Sequence, residues 1–217
     1  GAVADTEVVA MMSDTMKSLD VEATVRVNNR RILDGLAQVA GIEGEQPTRR
    51  LMGLIDKTEK LGRETVIESA TQQFGEKTGE LLTAFLSLDE DTDETRLLKV
   101  QGLLKENKAG NEGIENLTEV FKLLRSAGYD RGKIVFDPTI ARGLDYYTGI
   151  IYETTLNQLP NLGSVCSGGR FDNLVAALGG PDLPAVGTSV GVDRLLDGLD
   201  KLGKLESRRV ETQVLVA

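Results

Sequence analysis

With 217 residues, 40% of them hydrophobic and 27% charged, the chain is long enough to bury a core as one large domain or two small ones. It has no run of about 18 apolar residues, as a membrane-spanning helix requires, and its net charge of −9 is opposite in sign to that of a protein that neutralises nucleic-acid phosphates unaided. The absence of histidine removes imidazole acid–base catalysis, Ser-His triads and His-liganded metals, and the lone cysteine, Cys166, rules out an internal disulfide.

A single thiol, and a first segment with neither a basic n-region nor an apolar h-region, point to a reducing compartment, the cytoplasm. Val8, Val9, Met12, Met16 and Leu19 recur at helical spacing in Asp5 to Leu19, where Asp5 and Thr6 offer N-cap chemistry for a core-packing helix. The β-branched alternation of Thr24 to Asn28 predicts a strand. Asn29 then caps a helix whose apolar stripe is Ile32, Leu33, Leu36 and Val39. Arg30 and Arg31 stand at its start, against the dipole, and read as a solvated helix end.

From residue 41 to residue 128 the texture changes. Apolar residues recur at helical spacing in Leu51 to Ile55, Leu81 to Leu88, Leu97 to Leu104 and Ile114 to Leu124, with Gly, Pro and acidic breaks between and no strand signal. The expectation is a small module of four to five short helices. Residues 89 to 119 carry nine acidic and four basic side chains, a solvated acidic face. Strands return at Lys133 to Asp137, Tyr147 to Leu156, Ser164 to Ser167 and Ala185 to Val192. The short turns between them, with Pro138, Pro160 and Gly163, favour antiparallel pairing and hence an α+β fold. Helices from Arg170 to Leu178 and from Asp193 to Leu205 would cover one face, and a last strand runs from Glu211 to Val216.

Three constellations carry possible chemistry. In Ala141 to Glu153, ARGLDYYTGIIYE, a rigid guanidinium fork at Arg142 suits carboxylate or phosphate oxygens, and Tyr146 and Tyr147 offer flat walls with polar tips. With Asp145 the stretch also reads as a structural Arg-Asp pair beside core tyrosines. In GSVCSGGRF, Gly168 and Gly169 end a strand before a helix, where backbone can approach a ligand and a helix N-terminus attracts anions; a plain strand-to-helix turn reads the same. No GxxxxGK[ST] is present, so it is not a P-loop. In the strand Ala185 to Val192, period two puts Ala185, Gly187, Ser189 and Gly191 on a bare face and Val186, Thr188, Val190 and Val192 on the other. Arg194 follows at once. A flat ring on the bare face under the guanidinium is one reading, and a helix packed closely on small residues is the other.

With these residues the chain closely resembles the histidyl-tRNA synthetases, class II aminoacyl-tRNA synthetases, in the form seen in eukaryotes and some others. ARGLDYYTGIIYE matches the family's histidine-specific motif, GSVCSGGRFDNLV its glycine-rich strand and the helix after it, and PAVGTSVGVDRLLDGL its motif 3; VRVNNRRILDGL and the final ETQVLVA also fit. The resemblance implies catalytic-domain sequence in 1–40 and 129–206, a helical insertion domain in 41–128 and the start of an anticodon-binding domain in 207–217. It implies ATP-dependent activation of L-histidine and transfer to histidine tRNA, with Mg2+ accompanying ATP and a homodimer in the full-length protein.

By motif, the resemblance gives Arg142 the carboxylate and α-phosphate region, Tyr146 and Tyr147 the histidine pocket, with Tyr147 reaching the imidazole, and Gly168 and Gly169 the pocket floor. Gly191 and Arg194 fall at the ATP site, Arg194 stacking on adenine. Phe171 stands where the family commonly has tyrosine, one hydroxyl fewer at the pocket wall. Motifs 1 and 2 would precede Gly1 and the anticodon-binding domain would follow Ala217, so the chain is expected to be a fragment, inactive alone. The rival reading is a synthetase-like module that regulates another enzyme or senses tRNA without catalysis.

Overall fold

The computed structural model describes residues 1–88, 92–129, 131–143 and 146–205. Asp145, the segment 207–217 with the strand expected at Glu211 to Val216, and residues 89–91 of the acidic run lie outside the described residues. The β-branched and aromatic runs form β1 (Ala23–Asn29), β2 (Ile134–Phe136), β3 (Ile150–Leu156), β4 (Ser164–Arg170) and β5 (Val186–Val190). They make one sheet in the order β2-β1-β3-β4-β5, antiparallel throughout except for the short edge strand β2, which runs parallel to β1. The fold is α+β, as the short turns imply.

Register decides what each face holds. Val27, Tyr152, Gly168 and Thr188 are directly paired across β1, β3, β4 and β5, and so share one face; Arg26, Glu153, Ser167 and Ser189 form the neighbouring row on the other. The first face is apolar and lies against the helical layer of α1 (Ala2–Ser18), α2 (Arg30–Val39) and α8 (Lys108–Ser126). Val25, Val27, Met12, Met16, Leu33, Leu36, Phe121 and Phe136 are all buried there. Burial of each such side chain is worth about 1.5–3 kcal/mol. The two long helices α2 and α8 touch backbone to backbone, because a Cβ on Gly35 would sit 2.8 Å from Gly110 Cα and one on Gly113 3.0 Å from Ile32 N. Part of the stretch 41–128 thus contributes α8 to the same layer as α1 and α2.

The Asn29 cap is present: its Oδ1 accepts from Arg31 N at 3.0 Å. Arg30 and Arg31 are not a bare solvated end, since Arg30 pairs with Asp34 at 3.0 Å and Arg31 with Glu112. Asp5 is not a cap. It lies one turn inside α1, fully buried, and its carboxylate accepts from Arg170 Nη2 at 2.6 Å, Arg170 Nε at 3.0 Å and Asn116 Nδ2 at 3.1 Å. A buried charge needs such partners, and the local cap pattern could not reveal one 165 residues away.

Between α2 and α8 lie α3 (Glu45–Ile55), α4 (Thr58–Leu61), α5 (Arg63–Phe74), α6 (Glu76–Leu86) and α7 (Asp93–Leu104). The apolar stretches locate α3, α6, α7 and α8; with α4 and α5 the described residues of 41–128 form six helices, one more than the four to five expected. α5 buries only Val66 and Ala70, too few for a visible stripe. Three further boundaries differ from expectation. β3 starts at Ile150 rather than Tyr147. β4 runs through both glycines to Arg170, so no helix begins there; α9 is the single turn Leu174–Ala177. β5 stops at Val190, and Val192 already opens α10 (Val192–Lys201).

Candidate functional site

Tyr147 is held between two glycines. Gly143, at φ +65°, lies so close that a Cβ there would be 2.0 Å from Tyr147 Cδ2, and a Cβ on Gly169 would be 2.8 Å from Cδ1 on the other edge. Gly143 is required twice, by its left-handed backbone and by the ring. Tyr146 meets Tyr147 edge-on, with ring centroids 4.4 Å apart, and is itself 45% exposed. Burial first, then the Tyr146 hydroxyl and the charge of Glu153, push the Tyr147 phenol well above its ordinary range, so it stays protonated and able to donate.

The glycine pair splits across the sheet. Gly169 lies in the row of Asn28, Ile151 and Gly187, on the charged face, beneath Tyr147. Gly168 belongs to the opposite face, where a Cβ would strike Gly187 O at 2.2 Å and Tyr152 Cε2 at 2.7 Å; Tyr152 uses that space to donate from its hydroxyl to Gly187 O at 2.7 Å. Close backbone approach is therefore real at both, with the protein's own tyrosines as the groups that approach. The helix N-terminus expected beside them is absent, because the strand continues through Arg170. Phe171 follows that strand, its ring 3.4 Å from where a Gly187 Cβ would stand.

Arg142 extends onto the charged face. Its Nε is 3.1 Å from Asp56 Oδ1, at the C-terminal end of α3, and 2.8 Å from Glu153 Oε1. The nearest contact of both carboxylates is to Nε, the inner nitrogen, and the Arg142 side chain is about half exposed, so its guanidinium is accessible on this face. Asp145, placed beside Arg142 by sequence, lies outside the described residues. Across β1, Arg26 pairs with Asp137 at 3.2 Å, with Glu153 at 3.7 Å and with Glu59 of α4. Sequence reasoning passed over Arg26, Asp56, Glu59 and Asp137. Asp56 and Glu59 carry no local signal, whereas Arg26 is the one charge in the strand ATVRVNN.

The row Arg26, Glu153, Ser167, Ser189 leads from Arg142 toward Arg194. Two strand spacings, about 10 Å, separate Glu153 from Ser189. At that end, Ser164, Cys166, Ser167, Ser189, Gly191 and Arg194 line a depression of about 340 Å³. Arg194, in the first turn of α10, donates from Nη1 to Ser164 O at 2.7 Å. The bare alternation of β5 is as read: Gly187 and Ser189 lie on the charged face, Val186, Thr188 and Val190 on the helical one. Arg142, Tyr147, Gly169 and Phe171 thus border one face, Tyr146 meets Tyr147 edge-on at its margin, Gly168 lies behind it, and Arg194 stands at the β4–β5 end beside a depression lined from both faces of the sheet.

A mostly antiparallel sheet with helices on one side and a charged, glycine-lined face on the other is the α+β architecture shared with solved aminoacyl-tRNA synthetases. The crystal structure of histidyl-tRNA synthetase from Nostoc sp. PCC 7120 superposes with a TM-score of 0.85 at 32% identity, over 95% of this chain and 48% of that one. An ATP phosphoribosyltransferase regulatory subunit/histidyl-tRNA synthetase from Bacillus halodurans superposes with a TM-score of 0.77 at 26% identity, over 92% and 50%.

The model of the family described as histidyl-tRNA synthetase matches residues 1–195, and the histidine–tRNA ligase of Wolinella succinogenes is 38% identical over 98% of this chain and 49% of its own length. The chain belongs to the histidyl-tRNA synthetase family. It spans about half the length of the curated relatives it matches.

Proposed function

We propose that the full-length protein carrying these residues activates L-histidine with ATP, forming histidyl-adenylate and pyrophosphate, and transfers the histidyl group to histidine tRNA as a class II enzyme and a homodimer. The histidine carboxylate oxygen attacks the α-phosphorus; an O–P bond forms and the bond to pyrophosphate breaks. The guanidinium of Arg142 binds the carboxylate and α-phosphate and meets the negative charge that grows between them. Tyr147, protonated and fixed between Gly143 and Gly169, is the donor for the imidazole. Arg194 takes the nucleotide end with Gly191, and Phe171 supplies an apolar wall without a hydroxyl. Gly168 acts indirectly, by letting Tyr152 tie β3 to β5 beneath the pocket.

Among the described residues no group of three or more Asp, Glu or Cys side chains could hold a metal, so Mg2+, which the family resemblance expects with ATP, is given no protein ligands and no step here. None of the described helices is long and apolar enough to cross a membrane. The single observation that carries the reading is the half-exposed guanidinium of Arg142 on the face that holds Tyr147, in a chain of this family.

A second reading, a regulatory or tRNA-sensing module without catalysis, draws support from the likeness to the Bacillus halodurans protein, an ATP phosphoribosyltransferase regulatory subunit/histidyl-tRNA synthetase. The test is histidine-dependent ATP–pyrophosphate exchange by the full-length protein. Exchange that falls about 100- to 1,000-fold in Arg142→Ala supports the enzyme. No exchange in the wild type, with histidine still bound, supports the regulator.

A further inference from the structure

Glu153 is a carboxylate that packing does not explain. It lies on β3, the middle strand of five, with a side chain only 3% exposed, yet neither of its oxygens makes a hydrogen bond among the described residues. What surrounds it is cationic. Arg142 Nε stands 2.8 Å from Oε1, off the hydrogen-bond direction, and Arg26 Nη2 stands 3.7 Å from the other oxygen, on the residue paired with Glu153 across the strands. Burying a carboxylate costs several kcal/mol unless charges and donors compensate. Burial raises its proton affinity above the ordinary carboxylate range, against the opposing pull of Arg142 and Arg26. For stability alone, a neutral residue would suit this row better.

The contacts of Arg142 explain the choice. Both carboxylates that reach it come nearest at Nε, the inner nitrogen, on a side chain that is 49% exposed. An anchored Nε fixes the plane of a guanidinium, and with it the direction of the two-pronged edge. Asp56 accepts the hydrogen bond from Nε at 3.1 Å, but its side chain is 36% exposed and its pull is screened by water, so Glu153 is the buried charge of the two at Nε. We propose that Glu153 is a positioning residue for Arg142: from beneath the pocket it fixes Nε so that the Nη fork is set toward the anionic end of the ligand, and Arg26, opposite on β1, holds the carboxylate in place. This rests on the assignment of Arg142 to the substrate carboxylate and α-phosphate.

The experiment is a double-mutant cycle in the full-length protein, read by ATP–pyrophosphate exchange, with Glu153→Gln, Arg142→Ala and the double variant. E153Q keeps the shape and removes the charge. The expected result is a loss of kcat of about 10- to 100-fold in the wild-type background and under about 3-fold in the R142A background, because removal of Arg142 leaves Glu153 nothing to position. A merely structural carboxylate would lose the same factor in both backgrounds, and that result overturns the inference, as does a loss under about 3-fold in the wild type. Unchanged exchange in R142A would overturn the Arg142 assignment and this inference with it, whereas a large loss in R142A with an additive loss from E153Q overturns this inference alone. Should E153Q fail to fold, Glu153→Asp takes its place. It keeps the charge but withdraws it by one methylene, and the expected loss is about 5- to 10-fold in the wild type and none in R142A.

Discussion

Alanine at Gly169 and at Gly187 should have opposite fates, although the two glycines face each other across β4 and β5. A Cβ on Gly169 would lie 2.6 Å from Ile150 O and 2.8 and 2.9 Å from Tyr147 Cδ1 and Cε1. Non-bonded carbon atoms settle at about 3.5–4.0 Å, so the ring contacts are short by about 0.7 Å or more. Relief is blocked on both sides. Ile150 O belongs to the sheet backbone, and the far edge of the Tyr147 ring already rests on Gly143. Overpacking of this kind costs about 1–3 kcal/mol, offset by about 0.4–1 kcal/mol from the stiffer unfolded chain.

Gly187→Ala meets only the Phe171 ring at 3.4 Å, an ordinary contact, and should be neutral or stabilising by up to about 1 kcal/mol. Urea unfolding followed by far-UV circular dichroism would show Gly169→Ala unfolding at lower urea than Gly187→Ala, by at least about 1 kcal/mol at equal slope. Calorimetry should show weaker histidine binding in Gly169→Ala, because Tyr147 cannot keep its place. Equal midpoints for the two alanines, with histidine binding intact, would refute the reasoning.

Asp5→Ala leaves Arg170, whose side chain is 12% exposed, with Asp172 at 2.9 Å as its remaining carboxylate and takes the acceptor from Asn116 Nδ2, and should cost about 1–3 kcal/mol in urea unfolding; a loss under about 0.5 kcal/mol would show that Asp172 alone satisfies Arg170. Glu153 has a folded-state pKa above its ordinary value, so its contribution to stability is full at low pH and is lost as pH rises through that raised value. The melting temperature of Glu153→Gln relative to wild type should therefore rise as pH climbs above the ordinary carboxylate range, and a constant or falling difference would contradict the buried, cation-flanked placement. The 217 residues alone, half the length of their relatives, should show no histidine-dependent ATP–pyrophosphate exchange, and robust exchange would sink that expectation.

What the sequence disclosed followed from how local each determinant is. β1, its Asn29 cap and the stripe of α2 depend on neighbours within a turn or a strand, and all three were readable. Period two from Tyr147 to Leu156 already puts Tyr147, Ile151 and Glu153 on one face, so Glu153 was within reach of the same reasoning that found the bare face of β5. Asp5 was misread because its partner, Arg170, comes from β4 at the far end of the chain. The split of Gly168 from Gly169 was hidden by taking the strand to stop before them. The meeting of Arg142 with Asp56, 86 residues apart, has no trace in either segment.

The central claim is that Arg142 receives the junction of amino acid and nucleotide. Calorimetric titration of the full-length protein with histidine and ATP, wild type against Arg142→Ala, tests it most directly. The account predicts binding weakened by at least about 10-fold in the variant, the loss of a charge-assisted fork. Binding unchanged in Arg142→Ala, with the fold intact, would contradict it.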